Sequence, residues 1–409
     1  MPFYNCHIHI FSAQCAPKRF LEVGLGNFGF LAGPVKSTLE TTLGRKITGL
    51  LSRLSGKSSS RLNTAARYAS FASVGTMSTQ EMVFSNILRF YPAEARFVVL
   101  SLNMDYMGAG ESDLTFQGQV DQIIELRKKY PDQLLPFLSV DPRMGSAREI
   151  GMFAKKYVGL EQLPDGTMAS RPFVGIKLYP ALGFFPFDGR LSEVIQYCSD
   201  NDLPIMTHCT PSGAFYVGKI SAAMGSPAPI CQPTNIQYPH QFTNKGNNTE
   251  TDVFLYPKNW ECLLATYPKL KVCFAHMGGS NMMLQRHDGN SWFDDVKHLM
   301  TTYENVYTDI SYTLSDSDTW EMIVDLCKTN VPYGAGQTRS LGDRVLFGTD
   351  YFMTEQEDSE KNLAQKFPNW LLTPGKGMST AEANERREIL RKLTEENPVR
   401  YLSSQFFTP

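Results

Sequence analysis

Short apolar runs alternate with stretches of helical period along most of this chain. The first run, residues 3–11, reads as a strand. An extended chain points successive side chains to opposite faces, so His7 and His9 are predicted to share one face and Cys6, Ile8 and Ile10 the other. From residue 97 the pattern becomes regular, with strands predicted at 97–105, 134–140, 173–179, 204–209, 271–276, 305–311 and 344–349. Helical spacing falls between them, at 120–130, 146–157, 258–266, 291–303 and 319–329. Leu191, Val194, Ile195 and Cys198 form an i, i+3, i+4, i+7 stripe. A last helix opens at a capping box, Ser379 with Glu382, carries Ile389, Leu390 and Leu393, and is expected to end near Asn397-Pro398. Strands and helices in alternation predict parallel strands, in an open doubly wound sheet or a closed barrel. Eight strands favour the barrel.

Two stretches stand outside this rhythm. In 12–96, Leu39, Leu43, Ile47, Leu50, Leu51 and Leu54 predict an amphipathic helix stopping at Ser55-Gly56, and a second helix is predicted within 61–90. In 212–257 the chain is irregular and rich in Gly, Pro, Asn and Ser. The predicted fold is therefore α/β, a single (β/α)8 TIM barrel over 1–409 with helical and loop insertions at about 12–96 and 212–257 over its carboxyl face.

Composition narrows the function. With 39 basic against 41 acidic residues, a net charge of −2 and no basic run, neither nucleic acid nor an anionic membrane surface is expected as the main partner. No apolar stretch approaches the roughly 18 residues of a membrane span. A strand starting at residue 3 is expected to leave no room for a signal peptide, which makes the cytoplasm the expected location. The eight cysteines are scattered without a C-x-x-C pair, so neither a disulfide framework nor a zinc-thiolate site is expected. Gly56-Lys57-Ser58 is no phosphate loop, because position 51, where that motif needs glycine, is Leu51.

Candidate chemistry collects at strand ends: His7 and His9 on the first, Lys177 on the fourth, His208 on the fifth, His276 on the sixth and Asp350 on the eighth. Four of the seven histidines stand there, at the end of a barrel where active sites form. Any one of them alone is more simply a satisfied buried polar residue; together they point to a metal. Arg143, just past the third strand, is a candidate for binding a substrate carboxylate, although a rim salt bridge also accounts for it. Tyr179 shares the face of Lys177 and is a candidate hydrogen-bond donor.

These stretches resemble the amidohydrolase superfamily, in the branch that includes aminocarboxymuconate-semialdehyde decarboxylase. The resemblance is carried by His7-Ile8-His9, Gly175-Ile176-Lys177-Leu178-Tyr179-Pro180, Thr207-His208, Ala275-His276-Met277-Gly278-Gly279, Thr308-Asp309-Ile310-Ser311, Gly348-Thr349-Asp350 and Asn397-Pro398-Val399-Arg400. It implies His7, His9, His208 and Asp350 around a divalent ion such as zinc, with Asp350 also taking a proton from water. His276 either polarises the substrate and protonates the leaving group or ligates a second metal. One ion is favoured, with Lys177 a plain amine facing and binding the substrate; two fit if Lys177 is carboxylated and bridges them. The implied activity is hydrolysis of an amide, lactone or ester bond of a small molecule, and the alternative is non-oxidative decarboxylation of an unsaturated or aromatic acid. A small-molecule substrate is the expected partner, with assembly into a homo-oligomer left open.

Overall fold

The computed structural model describes residues 2–20, 73–74, 77–211, 213–243, 246–285, 291–333, 336–375 and 377–409. The helix predicted over 39–54 lies outside the described residues. Of the one predicted over 61–90, the described part is a helix at Gln80–Leu88, whose first turn is closed by the Thr79 side chain accepting from the Met82 N–H.

Eight strands form one sheet in chain order: β1 (Tyr4–Ile8), β2 (Arg96–Leu100), β3 (Leu134–Ser139), β4 (Gly175–Leu178), β5 (Pro204–Thr207), β6 (Lys271–Phe274), β7 (Val306–Asp309) and β8 (Val345–Leu346). All neighbours pair in parallel. The ring closes where the Cys6 N–H donates to Phe347 O at 2.8 Å and the Asp350 N–H to His7 O at 2.9 Å. Between strands lie helices at Phe116–Lys129, Ala147–Tyr157, Ser192–Asp200, Glu261–Thr266, Trp292–Thr302 and Trp320–Lys328. Ser146 with Glu149 and Ser291 with Asp294 close two of their first turns as capping boxes. This is the (β/α)8 barrel.

Strands buried on both faces read as continuous apolar runs, and the period of two separates the faces. Val98, Leu100, Leu135 and Phe137 belong to a cluster inside the ring, while Phe97, Val99, Leu134 and Leu138 pack outward under the helices. Tyr401, on the closing helix Asn397–Leu402, joins the inner cluster and donates from its hydroxyl to Ile205 O at 2.9 Å.

Several expectations need correction. Cys6 does not share a face with Ile8 and Ile10. It lies with Tyr4 inside the ring while Ile8 and Ile10 face outward, because the register against β2 shifts between Asn5 and Ile8. Two antiparallel hairpins were not expected, Leu160–Gln162 with Met168–Ser170 and Asn330–Tyr333 with Gln337–Ser340. Nor was the helix Glu360–Leu372, whose Pro368 reads as a breaker. The last helical stretch runs past Asn397-Pro398 to Leu402, with Pro398 in the first turn of a new helix, where a missing N–H costs nothing. Ser379 accepts from the Glu382 N–H, one of the two bonds of the expected box. Finally, Cys231 and Cys262 form a disulfide that ties the second insertion to the helix Glu261–Thr266.

Candidate metal centre

The register shift in β1 brings His7 and His9 to the carboxyl mouth of the ring on one side, and the loop after β8 brings Asp350 to meet them. Gly348 permits the approach, since a Cβ there would stand 2.8 Å from that of His7. Asp350 and His276 both adopt left-handed backbone, at φ 61° and 66°. For non-glycine residues that conformation costs on the order of 1–3 kcal/mol and gathers at functional sites.

The protons of these histidines follow from their partners. The His7 Nδ1–H donates to Asp309 Oδ2 at 2.9 Å and the His9 Nδ1–H to Leu100 O at 3.1 Å, since neither acceptor carries a hydrogen to give. Burial first, then the charge of Lys177 on His7 and of His7 and Lys177 on His9, holds both imidazoles well below the ordinary histidine range, so they are neutral. Each therefore aims a bare Nε2 inward, and each Nε2 stands 3.4 Å from the same atom, Asp350 Oδ1. Neither His7 Nε2 nor Asp350 Oδ1 has a hydrogen-bond partner among the described residues. Burial pushes the Asp350 carboxyl well above its usual range, with Lys177 opposing. Lone pairs converging in a dry site repel unless a cation lies between them. Ligands about 2.1 Å from a tetrahedral zinc stand about 3.4 Å apart. The two 3.4 Å distances to Asp350 Oδ1 fit a divalent cation.

Next to it stands His276, and one ligand atom from each of His7, His276 and Asp350 (two ring nitrogens and a carboxylate oxygen) lies within 4.8 Å of the others. The His276 Nδ1–H donates to Ser311 O at 3.0 Å, which leaves Nε2 to accept from His208 Nδ1 at 3.1 Å. His208 Nε2 in turn faces the Tyr179 hydroxyl at 3.3 Å, and the two rings stack at 4.3 Å. Hydrogen bonds thus run in one direction from Tyr179 through His208 to His276. Burial lowers His276 to about 4.

Lys177 is fully buried, 5.6 Å from the Tyr179 ring centre, and its Nζ has no hydrogen-bond partner among the described residues. Burial brings it down to about 8, against the opposing pull of Asp309 and Asp350. Arg143 is differently placed. It donates twice to Asp141, at 2.8 and 2.5 Å, and once to Tyr106 O at 2.9 Å, with the Tyr106, Phe184 and Tyr216 rings around it. It thereby joins loops that follow β2, β3, β4 and β5.

The sequence model of the amidohydrolases (Amidohydro_2) matches residues 94–402. The chain belongs to the amidohydrolase family. No curated protein matches this amidohydrolase in sequence. Among solved structures it is similar to a zinc-bound amidohydrolase from Burkholderia multivorans, at 9% identity and a TM-score of 0.51, covering 98% of this chain and 99% of that one. An uncharacterized TIM-barrel protein from Bordetella bronchiseptica matches at 15% identity and TM-score 0.47, over 98% of each chain. A 5-carboxyvanillate decarboxylase from Novosphingobium aromaticivorans, complexed with manganese, matches at 14% identity and 0.47, over 98% of this chain and 96% of that one.

Two residues not predicted as ligands, Asp309 and Ser311, also meet the histidines of this site. Asp309 accepts from His7 through Oδ2, and through Oδ1 from the His276 N–H at 3.0 Å and the Ser311 N–H at 3.0 Å. The Ser311 hydroxyl lies 3.0 Å from His7 Nδ1 and 2.9 Å from His276 Nδ1. A signal existed: Asp309 and Ser311 are polar residues two apart at the end of a predicted strand, the same pattern as His7 and His9. No described helix of this enzyme is long and apolar enough to cross a membrane.

Proposed function

We propose that this enzyme hydrolyses an amide, lactone or ester bond of a small molecule, using one divalent cation held at His7, His9 and Asp350. The observation that carries the reading is the meeting of two bare imidazole nitrogens on one buried carboxylate oxygen, 3.4 Å from each. Bound there, a zinc or similar ion supplies Lewis acidity to a water and to the substrate's carbonyl. Asp350 takes the water's proton, because its carboxylate is the base at that position. His208 and His276 divide two tasks: one imidazole completes the ligand shell, and the other passes a proton to the leaving group. Tyr179, donating toward His208, holds that ring in place. Lys177 faces the substrate. Arg143, committed to Asp141 and Tyr106, is assigned to holding the loops at the rim.

Decarboxylation is the second reading, favoured by Lys177: a buried amine without a hydrogen-bond partner among the described residues suits a substrate carboxylate. The test is turnover by the zinc- or manganese-loaded protein on panels of lactones, amides, esters and carboxylated phenols. Acid release without gas supports hydrolysis, carbon dioxide release supports the second reading, and turnover of neither by the loaded protein counts against both.

A further inference from the structure

Behind the metal centre, on the side away from the mouth, lies a buried polar network that no step above uses. Asn5 Oδ1 accepts two backbone N–H groups, from His7 and from Thr349, each at 3.2 Å. One oxygen therefore ties a cation ligand on β1 to the residue that precedes Asp350. Asn5 Nδ2 donates to the Tyr91 hydroxyl at 2.9 Å and to Thr349 Oγ1 at 2.8 Å. Both hydroxyls pass their own hydrogens to Glu360 Oε1, at 2.6 and 2.9 Å. Asn5, Thr349 and Glu360 are fully buried. The amide cannot turn over, because its NH2 would then face two N–H donors.

Burying an acid and an amide costs free energy that an apolar pair in the same space would not; their hydrogen bonds, which leave Glu360 Oε2 without a hydrogen-bond partner among the described residues, offset part of it and hold one geometry. What this network fixes is the seam between β1 and β8, where the register against β2 has shifted and where His7 and Asp350 must meet. The fold brings Glu360 here on the first turn of Glu360–Leu372, and its own N–H is held by Glu355 Oε1 at 2.9 Å.

We propose that Asn5, oriented by Glu360 through Tyr91 and Thr349, is a positioning residue that sets the spacing of His7 and Asp350 and thereby the site's affinity for its cation. The proposal rests on the cation reading above. Its test is titration with Co2+, read by the visible absorption of the bound ion, alongside thermal unfolding. Asn5→Ala is expected to weaken Co2+ binding about 10- to 100-fold and to alter the spectrum, the range typical when groups that orient metal ligands are removed. Asn5→Asp is expected to weaken it similarly, since it replaces the NH2 that donates to the Tyr91 and Thr349 hydroxyls with an acceptor. Adding Glu360→Gln to Asn5→Asp exchanges the two end groups, so that the Tyr91 and Thr349 hydroxyls accept from the introduced amide and donate to the introduced carboxyl group, and is expected to bring affinity back to within about threefold of wild type. The rescue separates a specific clamp from general loss of packing, and stands even if Asn5→Ala fails to fold. Wild-type binding matched by Asn5→Asp, or a double variant no better than Asn5→Asp, overturns the clamp alone. A wild type that takes up no cobalt overturns the cation reading and the clamp with it.

Discussion

His7 and Asp309 are 302 positions apart in the chain and meet at 2.9 Å, Nδ1 to Oδ2. The carboxylate decides which nitrogen of His7 carries the hydrogen, and so keeps the Nε2 lone pair aimed at Asp350. Asp309→Asn keeps the size but can present an NH2 to Nδ1, which favours the other tautomer and places a hydrogen where the cation belongs. Cation affinity is expected to fall about 10- to 100-fold. Competition with a chromophoric chelator measures it; unchanged affinity would show that the tautomer is set elsewhere.

Asp350→Asn tests the base. The amide retains an oxygen for the cation but cannot take a proton from water, so kcat is expected to drop about 10²- to 10⁴-fold with the folded circular dichroism spectrum retained. Near-native turnover on any good substrate assigns the proton transfer to another group.

The division of labour between His208 and His276 has its own readout. Their nitrogens are 3.1 Å apart, and a single imidazole would complete the protein ligands beside His7, His9 and Asp350 while leaving a further position open for water. His208→Gln and His276→Gln are therefore expected to differ in kind. One lowers cation affinity at least about tenfold, and the other leaves affinity near wild type and lowers kcat. Isothermal titration with Zn2+ and steady-state kinetics on both variants decide it. Equal losses of affinity in the two would mean that both imidazoles ligate.

The barrel was legible because parallel strands buried on both faces leave apolar runs that no surface element imitates. The strand-end histidines were legible for the same reason, as polar residues interrupting such runs. Asp309 and Ser311 carried the same pattern but are not residues read first as ligands, and their role depends on contacts with His7 and His276 from other strands. Asn5 gave no sign, since its role depends on contacts with Thr349, 344 positions away in the chain. Glu360 sits in a helix masked by Pro368, and nothing local tells a buried glutamate from an exposed one at a helix start. Arg143 has two sequence readings, a substrate carboxylate or a rim salt bridge; the carboxylate it meets is Asp141, two residues away, which is the second.

Glu360 also makes a prediction about stability. Burial pushes its carboxyl from the ordinary 4.5 up to about 8, against the lowering influence of the Tyr91 and Thr349 hydrogen bonds. Between those values the native state holds a proton that the unfolded chain has released. Stability from this group is therefore present below about pH 4.5 and is lost as pH rises toward 8. Glu360→Gln removes the titration while keeping the acceptor for both hydroxyls. Relative to wild type, the variant is expected to gain stability on going from pH 5 to pH 8.5, measured by urea unfolding at the two pH values. Other groups titrate alike in both proteins and cancel. A difference that stays constant across the two conditions would mean that Glu360 ionises in the fold as it does in the open chain, and that its carboxylate is charged where it holds Asn5.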